Sequence, residues 1–292
     1  MRTEHEAGVA RCRQIVEGDL DATVNLLQAG FPYRARRYWA DGLTRVGSYS
    51  LPDGCPRYGY VLEASGRLVG VLLLISSWSP VNSTAVRANV SSWFVLPEYR
   101  ACAPLLVLRA IRQKGPTYVN ISPADHTRPI IEAQGFRKGA EGVYAAIPAF
   151  GRAGHKARIS VLSQEFHSGP HIDPQTLALM LDHQRFGCIA MWCETDAGAF
   201  PLVIRERRLR FGGLRAAQLI YTRSIQELEA AAGALGRFLL GRGIPILLAG
   251  SPEPLRGVPG RYFPNRLPIY LKGRETREPF DLAYTEAALL GL

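Results

Sequence analysis

Apolar and polar positions alternate between two periods along this chain. Residues 58–64 and 68–76 are apolar runs around Ser65-Gly66-Arg67, which predicts two strands joined by a tight turn. Val90, Trp93, Phe94 and Val95 crowd β-forming side chains into residues 88–95, and Pro97 stops that strand by removing a ladder donor. Leu105, Leu106, Leu108 and Ile111 then supply the apolar face of a helix. Pro104 fits its first position, where no N–H is needed. Lys114-Gly115-Pro116 stops that helix, and residues 117–122 (TYVNIS) predict a strand. Strand, helix and strand in this order form a right-handed parallel crossover, and antiparallel hairpins feeding it describe an α/β mixed sheet with helices on its faces.

Upstream, residues 12–18 predict a short strand. Asp19 suits the N-cap of a helix carrying Leu20, Val24 and Leu27, which Gly30 and Pro32 end. Residues 31–47 predict a second helix, while 47–57 and 79–86 (SPVNSTAV) predict loops. Composition shifts at 149–157, and the order of elements then repeats. Asp173-Pro174 opens a helix through Phe186, and strands follow at 188–194, 200–207 and 214–223, the last entered through Gly212-Gly213. Ser224 and Glu227 suit a capping box for a helix to Leu240, ended by Gly241 and Gly243, before a buried strand at 244–249. The expectation is two tandem domains, 1–150 and 151–292. A closing hairpin over 262–272, turning at Pro264-Asn265, is expected in the tail.

With 292 residues, 47% hydrophobic and 21% charged, the chain has ample material for two cores. The longest apolar run, Val69 to Ile75, cannot span a bilayer, and the first residues lack the apolar core of a signal peptide. A cytoplasmic protein without a membrane span is expected. Five cysteines without CxxC spacing indicate neither a disulfide framework nor a zinc site. His167 and His171 flank Ser-Gly-Pro, which prevents helical ligation, so no metal is expected. A net charge of +10 invites a nucleic-acid reading, but the arginines are scattered and no recognition motif accompanies them; no nucleic-acid partner is expected. The one tight cluster is Arg34, Arg36 and Arg37, either a solvated helix face or a clamp for an acidic group.

A strand passing through a short loop into a helix N-terminus aims amides and the helix dipole at an anion. Parallel strands that diverge also leave a crevice at their C-terminal ends. At that mouth lie Asn120, Ser122, Asp125, His126 and Thr127. His126 suits proton transfer near neutral pH; alternatively Asp125 caps the next helix and His126 is simply exposed. Of Ser91 and Ser92, strand alternation lets one face the crevice. Cys102, at the helix start, is a reactive thiol or a small filler. Walker, HExxH and GxSxG motifs are absent.

Val95-Leu96-Pro97-Glu98-Tyr99-Arg100, with the small-residue loop and Leu-rich helix after it, resembles the acyl-CoA-binding motif of the GNAT acyltransferases. Gln134-Gly135-Phe136-Arg137 resembles that superfamily's closing GF signature, so the resemblance covers roughly residues 10–148. It implies two tandem GNAT-like domains and a direct transfer of an acyl group, acetyl in the first instance, from acetyl-CoA or a longer acyl-CoA to an amine or hydroxyl. Val95 and Leu96 would meet the pantetheine arm; Arg100, Ala101, Cys102, Ala103, Pro104 and Leu105 would cradle the pyrophosphate. Arg34, Arg37, Trp39 and Trp93 would hold a small-molecule or peptide acceptor, an anionic one where the arginines meet it. His126, Ser92 and Asn120 are the catalytic candidates. The sequence departs from the pattern where Ala103 and Leu105 replace loop glycines with Pro104 between them, and near Ile131, where many members carry an acid tyrosine. Tyr99, Cys102 or water would replace that tyrosine. In the second half Tyr221-Thr222-Arg223-Ser224 enters its helix without a P-x-x-R loop, so that domain is expected to be degenerate, covering the first, shaping the acceptor pocket or forming a homodimer. Two other readings remain: a non-catalytic ligand-binding or scaffold protein of the same fold, and a synthase related to acyl-homoserine-lactone enzymes using an acylated carrier.

Overall fold

The computed structural model describes residues 9–152, 156–163, 172–209, 213–274 and 277–291. His167, His171 and Gly212 lie outside the described residues. The chain forms two compact units, Met1–Asn120 and Ile121–Leu292. The division therefore falls at the end of the crossover strand, upstream of the composition shift at 149–157. The cause is visible in strand pairing: residues 143–146 belong to the second unit's sheet.

In the first unit the order is β1 (Arg11–Gln14), α1 (Leu20–Gly30), α2 (Arg36–Gly47), β2 (Gly59–Ala64), β3 (Arg67–Ser79), β4 (Asn82–Val95), α3 (Ala103–Ala110) and β5 (Thr117–Asn120). The strands run β1-β2-β3-β4-β5, antiparallel except for the parallel β4/β5 pair that the crossover predicts. Ser65 and Gly66 both have positive φ, the geometry of a tight two-residue hairpin turn. Residues 79–86 are not a loop. Only Pro80 and Val81 separate β3 from β4, and the polar Asn82-Ser83-Thr84 is the exposed tip of a long hairpin. Asp19 does not cap α1 through its side chain. Its carboxylate instead binds Arg13 (2.6 and 2.9 Å) and the Val16 amide, and the Arg13 hydrogen bond holds it below the usual carboxylate range. Leu27 and Leu43, from α1 and α2, are fully buried, each contributing roughly 1.5–3 kcal/mol.

The second unit contains α4 (Arg128–Ala133), β6 (Arg137–Lys138), β7 (Val143–Ala146), β8 (Arg158–Val161), α5 (Pro174–Arg185), β9 (Ile189–Thr195), β10 (Gly198–Arg208), β11 (Arg215–Tyr221), α6 (Ile225–Gly241), β12 (Ile246–Gly250), β13 (Gly260–Phe263), β14 (Tyr270–Lys272) and α7 (Glu286–Leu289). Seven strands form one sheet, β13-β7-β12-β11-β10-β9-β8, with β11 and β12 parallel. Asp173 caps α5 by accepting from the Thr176 amide, and Ser224 caps α6 by accepting from Glu227. The tail does not close as a hairpin: β13 pairs with β7, and β14 pairs with β6. Asn265 and Leu267, both at positive φ, redirect the chain between them. Leu202, Ile204, Leu219, Leu235, Leu239 and Leu247 form the centre of this unit's core.

Candidate functional site

The first unit's site is built on an irregularity in β4. Leu73 pairs with Ser91 and Val71 with Phe94, so Ser92 and Trp93 together face Leu72 alone. Ser92 sits at φ 50°, the left-handed conformation by which a bulge takes up extra length. A bulge bends its strand, and here the consequence is on the far edge. The β4/β5 ladder has three rungs, ending at Asn89 and Val119, while β4 continues to Val95. The two parallel strands fork beyond Asn89. The Asn89 side chain sits at the crotch, donating to the carbonyls of Val119 (3.1 Å) and Val90 (3.4 Å), and is 2% exposed. At the end of β4 the Leu96 amide donates to Val69 in β3 (2.9 Å). Ladder alternation then turns the Val95 N–H to the opposite, forked edge.

The expected residues do not converge on one place. Ser92, Trp93 and Val95 lie on the bulged stretch; the Ser92 and Ser91 hydroxyls are 3.0 Å apart, and the Trp93 indole N–H is shielded from solvent without a protein acceptor. Asn120 is the last residue of β5. Arg34 and Trp39 belong to an aromatic assembly above α1 and α2. The Arg34 guanidinium stacks on Tyr38 (4.6 Å), and Trp39, 3% exposed, packs on Phe31 (5.4 Å), which in turn meets Phe94 (6.4 Å). Trp39 is thus a core residue. Arg37 is exposed beside Asp41, and Arg36 pairs with Asp21. Gly30 lets α1 sit directly on the Phe94 ring, because a Cβ there would overlap it.

Residues 97–102 do not form an open loop. Pro97–Cys102 is a 3₁₀ helix running without a gap into α3. The Tyr99 amide donates to Leu96 (2.9 Å) and the Ala103 amide to Arg100, so the Ala103 amide expected in a pyrophosphate cradle is engaged in the helix itself. Pro104 has no N–H, and the side chains of Pro104 and Leu105 point out to solvent. The buried face of α3 is Leu106, Val107 and Ala110; Leu105 and Leu108 are exposed. Arg100 and Ala101 are exposed, and Cys102 is half-buried at the junction. His126 lies in the second unit, exposed in the 3₁₀ turn Asp125–Thr127, where Asp125 pairs with Arg128 (2.7 Å). Ile131, near which the resemblance places an acid tyrosine, is buried in α4, and a phenol reaches that helix from the tail as Tyr270 donates to Glu132 (2.9 Å).

The second unit repeats the fork, a feature that pattern reading missed. β11 pairs with β12 over three rungs ending at Gln218 and Leu248. The register against β10 skips at Ile220, and the Gln218 carboxamide donates to Leu248 (3.2 Å) and Leu219 (3.3 Å), as Asn89 does in the first unit. The signal was available: a lone carboxamide inside an apolar strand, in Arg87-Ala88-Asn89-Val90 and again in Ala216-Ala217-Gln218-Leu219. This second fork is filled by the chain's own tail. Leu282 donates its amide to Ile220 (2.7 Å), and the Pro279 carbonyl lies so close over Gly250 that a Cβ would overlap it. Arg277, Asp281 and Glu286 are buried in the same segment. The Ser122 hydroxyl donates to Glu286, whose carboxyl burial pushes up to about 7.

Among the described residues no helix is long and apolar enough to cross a membrane, and no group of three metal-ligating side chains occurs. Neither a protein-family model nor a curated protein sequence matches the chain. Solved structures do. A GCN5-related N-acetyltransferase from Anabaena variabilis aligns with a TM-score of 0.59 at 12% identity, over 90% of this chain and 72% of that one. One from Kribbella flavida gives 0.59 at 14%, over 91% and 71%. A putative acetyltransferase from Pyrococcus horikoshii gives 0.56 at 11%, over 97% of both chains. The bulged strand, its fork and this likeness along nearly the whole length agree: the chain has the GNAT fold of the GCN5-related N-acetyltransferases, with two sheets in tandem.

Proposed function

We propose that the protein is an acyl-CoA-dependent acyltransferase that uses the first fork, transferring an acyl group, acetyl in the first instance, to an amine or hydroxyl of a small-molecule or peptide acceptor. The observation that carries this reading is the β4 edge beyond Asn89, left without a β5 partner by the Ser92 bulge. An unpaired strand edge binds an extended amide-bearing chain by adding a ladder, and a pantetheine arm is such a chain. The Val95 N–H supports the thioester oxygen as negative charge develops on it. The neighbouring Leu96 amide is engaged by Val69. Alignment of donor and acceptor in one cleft is worth up to ~7–11 kcal/mol. The acceptor's proton passes to water, and the leaving thiolate takes a proton from Tyr99, Cys102 or water.

The pyrophosphate contact rests on side-chain charge rather than on a cradle of amides. Arg100 is exposed at the 3₁₀ turn. The binding is therefore expected to be strongly salt-dependent. The test is thiol release from acetyl-CoA across a panel of amines, with calorimetry of acetyl- and longer acyl-CoAs. Binding that weakens in Ala103→Glu and Arg100→Glu, with amine-dependent thiol release, supports the enzyme. Binding without release under any acceptor supports a ligand-binding protein of the same fold, which the engaged loop amides and Ile131 favour. No binding at any chain length rejects both.

A further inference from the structure

Of the three clustered arginines at the start of α2, the fold supplies an acid to two. Arg36 pairs with Asp21 and donates to Asn25 (3.2 Å), and Arg37 pairs with Asp41 (3.4 Å). The half-buried Arg34 guanidinium instead lies against two rings, 4.6 Å from the Tyr38 centroid and 5.8 Å from that of Tyr33. Among the described residues no carboxylate or carbonyl accepts a hydrogen bond from it. An arginine laid on aromatic faces keeps its in-plane N–H donors open and has given up much of its rotamer freedom in advance. Held this way, the planar fork matches a carboxylate, which it binds through two parallel charge-assisted hydrogen bonds.

Aromatic surface connects that fork to the bulged strand. Tyr33, 69% exposed, stands edge-on to Phe31 (6.2 Å, 87°), and Phe31 meets Phe94 (6.4 Å). Gly30 lets α1 rest on the Phe94 ring, and Phe94 directly precedes Val95, whose N–H turns to the forked edge. A molecule reaching from Val95 to Arg34 therefore crosses rings and ends at a cation. We infer that the acceptor is an amine with an aromatic body and a carboxylate at the end away from the nitrogen, the body against Phe31 and Tyr33 and the carboxylate on Arg34. The fate of the amine rests on the acyltransferase reading; the carboxylate rests on Arg34. In the transfer the amine nitrogen bonds the acyl carbon as the carbon–sulfur bond breaks. One amine proton goes to water, and the sulfur leaves with its electron pair and is protonated to the CoA thiol. The carboxylate takes no part in that step and decides which amine is held for it.

The test is calorimetric titration of the full chain, alone and with CoA, using para-(aminomethyl)benzoate, para-(aminomethyl)benzamide and benzylamine, beside thiol release from acetyl-CoA with the same amines. The acid is expected to bind about tenfold more tightly than the amide, the discrimination a charge-assisted hydrogen bond supplies, and to show the same preference in kcat/KM. Arg34→Met, which keeps an unbranched apolar side chain on the tyrosine rings, is expected to bring the acid to the level of the amide. Arg36→Met, which removes an equal charge two residues away, is expected to keep most of the preference. Equal binding of acid and amide by the unsubstituted protein overturns the inference whatever the variants do. Equal losses in Arg34→Met and Arg36→Met also overturn it, because they assign the preference to overall charge. A preference that Arg34→Met erases, without thiol release from any amine, keeps the carboxylate site and rejects the acyltransferase reading. Thiol release as fast with benzylamine as with the acid, and unchanged in Arg34→Met, keeps the acyltransferase reading and overturns this inference.

Discussion

Substituting Glu286 by Gln is expected to stabilise the protein increasingly as pH rises from about 4.5 to 7, and not below that window. Glu286 is 3% exposed and accepts a hydrogen bond from Ser122. Burial raises its carboxyl from 4.5 to about 7, the Ser122 bond offsetting part of that rise. At 1.36 kcal/mol per pH unit, ionising it inside the fold is harder than in the unfolded chain by about 3 kcal/mol. The folded protein thus keeps a proton that the unfolded chain releases. Its contribution is complete below about pH 4.5 and is lost as pH rises through about 7. Glutamine keeps the acceptor for Ser122 and has no proton to lose. Urea unfolding of both proteins from pH 4 to 8.5 should give nearly equal stabilities at pH 4 and an advantage of about 3 kcal/mol for the Gln variant at pH 8. His183, whose ring burial lowers to about 4, pulls the other way, losing stability as pH falls from 6.5 through 4. Being present in both proteins, it cancels in the difference. A difference that does not change with pH would show that Glu286 is ionised in the fold and would refute the reasoning.

Other outcomes follow from the forks. Asn89→Leu leaves the Val119 and Val90 carbonyls without their donor in a buried place; a loss of about 1–3 kcal/mol in denaturant unfolding is expected, with weaker acyl-CoA binding by calorimetry. Gly30→Ala, ordinarily favourable in a helix, should instead destabilise by about 1–3 kcal/mol because the new methyl meets the Phe94 ring, read in the same unfolding assay.

How much the sequence revealed depended on whether a feature was local. The β2–β3 hairpin was legible because Ser65-Gly66 carries turn chemistry between apolar runs, and the β4–α3–β5 crossover because period and proline punctuation agree there. The 79–86 hairpin tip was not, since its polar residues read as a loop when the partner strand is unseen. The Ser92 bulge has no local mark either: a serine at positive φ is held by its neighbours, not by its own preference. The cofactor-binding reading of residues 100–105 failed to foresee that Pro97–Cys102 winds into a 3₁₀ helix, because small residues fit a loop and a tight helix equally well. Arrangements spanning distant residues, such as Leu282 on Ile220 and Glu286 on Ser122, depend on the tail's path and leave no trace in periodicity.

The most direct test of the central claim is hydrogen–deuterium exchange of the full chain with and without acetyl-CoA, followed in peptides covering residues 88–96. If the cofactor's amide-bearing arm completes the β4 edge, exchange there slows on binding and the slowing is reduced in Asn89→Leu. Acetyl-CoA that binds while leaving those amides unchanged, or that does not bind at all, contradicts the account.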